Sequence, residues 1–130
     1  MIGGEAEDVG RLQPVIEAAA APQAQAHFGP VGSGHFAKMV HNGIEYGMMQ
    51  AIAEGAAVLE KSPFKYDLAQ VFELYNQRSV IESRLVGWTV NAVKDNPQLE
   101  GVSSTIKHTG EGEWTIKTAE ALGVQVPVIK

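Results

Sequence analysis

The stretch Gly32-Ser33-Gly34-His35-Phe36-Ala37-Lys38-Met39-Val40-His41-Asn42-Gly43-Ile44-Glu45-Tyr46-Gly47-Met48-Met49-Gln50 opens a long apolar-periodic run that continues to Lys61. At about 100° per residue, Phe36, Val40, Ile44, Gly47, Met48 and Ala51 share one arc of a helix. Lys38, His41, Asn42, Glu45 and Met49 fall on the adjoining arc of roughly 100°. The spacing predicts a helix over 35–61, with Ser33 as N-cap and Ser62-Pro63 as the stop. At about 27 residues it would exceed the ordinary helix length, so it is expected to be a central helix or part of an oligomer interface. Its apolar and small arc suits close helix packing.

Working outward, the flanking segments are also helical in pattern. Val9, Leu12, Val15, Ile16 and Ala19 recur at three- and four-residue spacings over 5–21, with acidic residues in the first turn and a stop near Pro22. Leu68, Val71, Phe72 and Tyr75 mark a helix over 66–77, and Ile81, Leu85, Trp88 and Val93 another over 80–93. The two are separated near Arg78-Ser79, and Asp95-Asn96-Pro97 ends the second. Residues 101–113 read as a loop and 115–122 as a helix stopped by Gly123. The apolar tail 124–129 carries no stop signal and is expected to run on into a continuation. The fold class is therefore mainly α.

Composition narrows the functions. The 130 residues carry a formal charge of -5, and the ten basic residues are scattered rather than gathered into a stripe for nucleic acid. There are no cysteines, which excludes disulfides, thiolate nucleophiles and cysteine-ligated zinc. No stretch approaches the roughly 20 apolar residues needed to span a bilayer, and residues 1–10 lack the pattern of a secretory signal. A soluble, cytoplasmic protein without nucleic-acid or membrane partners is the expectation.

The polar arc admits two readings. A solvated face with an electrostatic relation between Lys38 and Glu45 is the simpler. However, His41 and Asn42 are poor helix formers set between single opposite charges, and Gly32-Ser33-Gly34 would let a ligand approach the helix start. In a catalytic reading, a partly desolvated Lys38 is a base for a hydroxyl group, Glu45 moves a proton elsewhere on the same substrate, and His41 and Asn42 orient oxygens. Two other patterns are set aside. Gly32-Ser33-Gly34-His35-Phe36-Ala37 fits G-x-G-x-x-A, but no apolar strand precedes it and no second strand with a ribose-binding acid follows. His41 and Glu45 with His35 or His108 do not make a convincing set of three metal ligands, so no metal is expected.

The run 32–50 closely resembles the substrate helix of the 6-phosphogluconate dehydrogenases, with its chemically distinctive residues in the family's order and spacing. Similarity extends to Gly112-Glu113-Trp114-Thr115 and back to Met1-Ile2-Gly3-Gly4, which looks like the last strand region of the family's nucleotide-binding domain. The resemblance implies that 1–31 are the end of an NAD(P)-binding domain and its connector. Residues 32–130 are then a helical substrate-binding and dimerisation domain, truncated at its C-terminus. It implies oxidation of the 3-hydroxyl of 6-phosphogluconate, decarboxylation to ribulose 5-phosphate, NADP or NAD as cofactor and a homodimer. Lys38 matches the general base and Glu45 the acid that helps protonate the enediol. His41 and Asn42 match substrate-binding positions, and Tyr46 a residue contacting phosphate.

Two departures bear on these implications. Larger members carry a lysine and a threonine before the tryptophan, where counting back from Trp114 places Thr109 and Glu111. An acid is a poor phosphate neighbour, although Lys107 or His108 could substitute and shorter bacterial members have a similar acidic loop, so a related sugar acid stays open as substrate. The glycine fingerprint and first βαβ units are also missing, so the chain by itself is expected to be inactive and the choice between NAD and NADP is not readable. The alternatives are a non-catalytic helical module dimerising near Ile44, Gly47 and Ala51, and a metal-dependent helical bundle.

Overall fold

The computed structural model describes residues 1–103 and 110–130. Thr109, Lys107 and His108 lie outside the described residues. Five helices follow in order: α1 (Ala6–Ala19), α2 (Ser33–Lys61), α3 (Leu68–Tyr75), α4 (Arg84–Asp95) and α5 (Glu111–Ala121). The described residues form no β-strand, and the one extended pairing is an isolated parallel bridge between Ile2 and His27. None of the described helices is long and apolar enough to cross a membrane. The mainly α class is thus the observed one. By internal contacts the chain divides into two compact units, Met1–Glu45 with His108–Lys130, and Tyr46–Lys107.

In the first unit, the start of α2 rests on the N-terminal segment. Ile2 donates to the Ala26 carbonyl at 3.0 Å, Phe28 to Ile2 at 2.8 Å, and Gly4 to Gly29 at 2.9 Å. His27 Nε2 lies 2.8 Å from both the Gly4 and Gly29 carbonyls. The backbones come so close that a Cβ on Gly34 would stand 2.7 Å from Gly3 N and from the Ile2 carbonyl carbon. Only glycine fits such an approach. Ser33 is the first helical residue rather than a side-chain cap: its Oγ is buried and has no hydrogen-bond partner among the described residues. The turn Pro30–Ser33, closed by Ser33 N to the Pro30 carbonyl at 3.1 Å, turns that hydroxyl towards Gly3 instead of the helix N-terminus. Of the expected α1 face, Val9 is buried but Leu12 and Val15 are exposed.

α5 begins four residues earlier than its hydrophobic spacing predicts. Gly110, at φ 111°, turns the chain into the helix, and Trp114 N donates to its carbonyl at 2.9 Å. Glu111, Gly112 and Glu113 are therefore helical rather than loop, with both acids placed favourably near the positive end of the helix dipole. Gly123, at φ 69°, ends the helix as expected.

The second unit holds the buried cluster Phe72, Val86 and Val90, against which Ile52, Ala56, Leu59, Leu68 and Tyr75 pack. Phe72 meets Tyr75 edge-on with ring centroids 5.8 Å apart. Asp67 caps α3 by accepting from Ala69 N at 2.9 Å and Gln70 N at 3.3 Å. Ser83 caps α4 by accepting from Val86 N at 3.1 Å. That cap starts α4 four residues beyond the expected Val80, which leaves Val80 and Ile81 exposed. The α4 core stripe is consequently Val86, Val90 and Val93, and the expected Trp88 lies half-exposed beside it. Arg78 makes the turn between α3 and α4 at φ 57°.

Candidate functional site

The first unit places Lys38, His41, Asn42 and Glu45 on one face of α2, because residues three and four apart on a helix are surface neighbours. Lys38 Nζ donates to Asn42 Oδ1 and lies 3.4 Å from His41 Nδ1. The same imidazole nitrogen is 3.3 Å from Asn42 Oδ1 and 3.7 Å from Glu45 Oε2. A cation, an imidazole, an amide and a carboxylate are thereby joined over two helical turns, with His41 between the lysine and the glutamate. The His41 and Glu45 side chains are 53% and 35% exposed. Lys38 is exposed as well, so the partly desolvated cleft expected around it is not built by the described residues. Such a face can hold several oxygens of a polyhydroxy acid and exchange protons with it.

Tyr46 is the next residue along α2 and is half-buried in the second unit, while Met49 on the same arc is exposed. Thr109 is outside the described residues. Glu111, placed in the phosphate loop by counting back from Trp114, sits instead in the first turn of α5.

The arc expected to pack is not the buried one. Phe36, Ile44 and Met48 are half-exposed, and the buried residues of α2 are Gly34 and Gly43. A Cβ on Gly43 would fall 2.6 Å from Thr115 Cγ2 and 2.9 Å from Thr115 Oγ1. Thr115, 5% exposed, donates from Oγ1 to the Met39 carbonyl at 2.7 Å, and Thr118 Oγ1 lies 3.5 Å from Met39 Sδ. Hydropathy spacing misses these contacts because glycine packs through its backbone. The available signal was an isolated glycine inside a helical pattern, which usually marks close packing.

Although Gly32-Ser33-Gly34 opens α2, Gly34 is backed by Ile2 and Gly3 and no strand leads into the turn, so the residues present do not form a dinucleotide cradle. Among the described residues no three His, Cys, Asp or Glu side chains are grouped to hold a metal ion.

Comparison with known proteins gives one answer. The family model described as 6-phosphogluconate dehydrogenase, C-terminal domain, matches residues 34–130. A putative 6-phosphogluconate dehydrogenase of Bacillus subtilis, YqeC, is 43% identical over 129 residues, covering 99% of this chain and 43% of the relative. An NAD(+)-dependent, decarboxylating 6-phosphogluconate dehydrogenase of Haloferax volcanii is 37% identical over 131 residues, covering 99% and 44%. An NADP(+)-dependent, decarboxylating enzyme of Bacillus subtilis is 34% identical over 141 aligned positions, covering 99% and 30%. The chain thus spans less than half the length of these relatives. With its helical architecture and a family match running from Gly34 at the start of α2 to the last residue, the chain belongs to the 6-phosphogluconate dehydrogenase family, through that family's C-terminal domain.

Proposed function

We propose that the Lys38–Glu45 face of α2 is the substrate side of a decarboxylating dehydrogenase acting on 6-phosphogluconate or a closely related sugar acid. The observation that carries this reading is the convergence of Lys38, His41, Asn42 and Glu45 on one face, with His41 Nδ1 within 3.4 Å of Lys38 Nζ and 3.7 Å of Glu45 Oε2. Lys38 takes the proton of the substrate hydroxyl, while a nicotinamide dinucleotide, where bound, would accept the hydride from the same carbon; Lys38 then returns the proton to the keto oxygen as carbon dioxide departs. Glu45 assists protonation of the resulting enediol carbon. His41 and Asn42 bind substrate oxygens, and Tyr46 and Thr109 contact the phosphate. The relatives named as NAD(+)- and NADP(+)-dependent support one of these dinucleotides as cofactor. Since the described residues offer it no cradle, its binding is assigned to residues outside them. On this reading, residues 1–31 close a nucleotide-binding domain and 32–130 form the substrate and dimerisation domain of a cytoplasmic enzyme.

Calorimetric titration of the chain with 6-phosphogluconate and with gluconate tests the proposal. Saturable binding of 6-phosphogluconate, lost in a folded Lys38→Ala variant, is expected. Absence of binding to either ligand by the folded chain would sink it. A second reading, a non-catalytic module that self-associates through α2, is favoured by the half-exposed Phe36, Ile44 and Met48. Sedimentation of the wild type and of Ile44→Glu distinguishes it: dimer lost in the variant with no sugar-acid binding in either supports the module.

A further inference from the structure

We infer that Thr115 is a positioning residue for the Lys38–Glu45 face, holding the turn Met39–Gly43 of α2 in one rotational setting against α5. The inference rests on the substrate-site reading above, and every contact it uses lies within the first unit.

Both points at which Thr115 grips α2 adjoin site residues. Met39, whose carbonyl accepts from Thr115 Oγ1 at 2.7 Å, follows Lys38, and Gly43, against which the Thr115 methyl packs, follows Asn42. Lys38 and Asn42 are themselves joined by a hydrogen bond. The grip therefore covers the same helical turn that carries the first half of the site. Thr118 adds a contact to Met39 Sδ at 3.5 Å.

Two features mark the contact as specific. A mid-helix glycine costs roughly 1 kcal/mol relative to alanine, yet at Gly43 it admits a threonine side chain where any Cβ would collide. The Thr115 hydroxyl also has a local acceptor, the Glu111 carbonyl at 3.3 Å, but lies closer to Met39, 76 residues away. The methyl fixes how near α2 comes, and the hydroxyl fixes its rotation about its own axis. Because a small misplacement of catalytic groups can cost as much as about a hundredfold in rate, an oriented hydrogen bond beside the site does more than fill space.

The test compares Thr115→Val, which keeps the shape and removes the hydroxyl, with Thr115→Ser, which keeps the hydroxyl. Affinity for 6-phosphogluconate is measured by calorimetry well below the melting temperature of each variant. In parallel, the His41 imidazole and Asn42 side-chain amide resonances are followed by NMR in the ligand-free chain. Thr115→Val is expected to bind about tenfold more weakly and to shift both resonances, whereas Thr115→Ser stays within about twofold of wild type. If wild type binds and Thr115→Val binds equally well while folded, the positioning role is overturned and the site reading stands. If wild type does not bind, the site reading fails, and the resonances decide: unmoved in Thr115→Val, they overturn positioning; moved, with Thr115→Ser unchanged, they support it. Should Thr115→Val fail to fold, Thr115→Ala takes its place in each comparison.

Discussion

Replacing Gly43 by alanine sets two effects of opposite sign against each other within one helix. Alanine favours a helix interior by roughly 1 kcal/mol over glycine. At position 43, however, the new Cβ would meet Thr115 Cγ2 at 2.6 Å and its Cβ and Oγ1 at 2.9 Å. Overpacking of this kind costs about 1–3 kcal/mol. Turning Thr115 away to relieve it gives up the hydrogen bond to Met39, worth about 1 kcal/mol. Set against the alanine gain, overpacking leaves a net loss of up to about 2 kcal/mol. Gly55 in the same helix supplies the control, since a Cβ there would meet nothing within 4 Å. Gly55→Ala should stabilise by about 0.5–1 kcal/mol. Urea unfolding followed by circular dichroism measures both, and thermal melts should move in opposite directions by about 4 °C per kcal/mol for a chain of this size. If Gly43→Ala proved as stable as Gly55→Ala, the close approach of Thr115 to α2 would be wrong, and with it the basis for the positioning role.

Phe72→Ala should destabilise by about 3–5 kcal/mol in urea unfolding, because Phe72 is 3% exposed and lies at the centre of the second unit's core. Asp67→Ala removes the acceptor for Ala69 N and Gln70 N at the start of α3 and should cost about 1 kcal/mol, read as a lower urea midpoint. Arg78→Gly relieves a left-handed conformation and should raise stability by up to about 1 kcal/mol; a lower melting temperature would contradict it. The Lys130 ammonium, hydrogen-bonded to Glu120 at 2.8 Å, holds the Glu120 carboxyl below its ordinary value, and Glu120 in turn raises Lys130. A depressed acid contributes above its unfolded pKa and loses that contribution as pH falls through its folded pKa; the raised lysine contributes below its unfolded pKa and loses it as pH rises through its folded value. NMR titration should therefore find Glu120 titrating at lower pH than an ordinary glutamate, and Lys130→Ala should return it to the usual range.

The sequence by itself determined the helical class and the composition of the polar face. Both depend on local geometry: a 3.6-residue period places Lys38, His41, Asn42 and Glu45 together wherever a helix forms, and apolar spacing marks where helices form. The family could be read for a related reason, since the run 32–50 keeps distinctive residues at fixed spacing. Tertiary structure decided which faces are covered. Phe36, Ile44 and Met48 looked like the packing arc but are half-exposed, whereas Gly34 and Gly43 form the close contacts. The start of α4 was set by the Ser83 cap rather than by the apolar Val80-Ile81, and that of α5 by the left-handed turn at Gly110. The grip of Thr115 on Met39 joins residues 76 apart in the chain. Side-chain hydropathy records what a residue would gain by burial, but not which backbone will approach it; a glycine's lack of a side chain becomes informative only once the fold brings a partner within 3 Å of where a Cβ would stand.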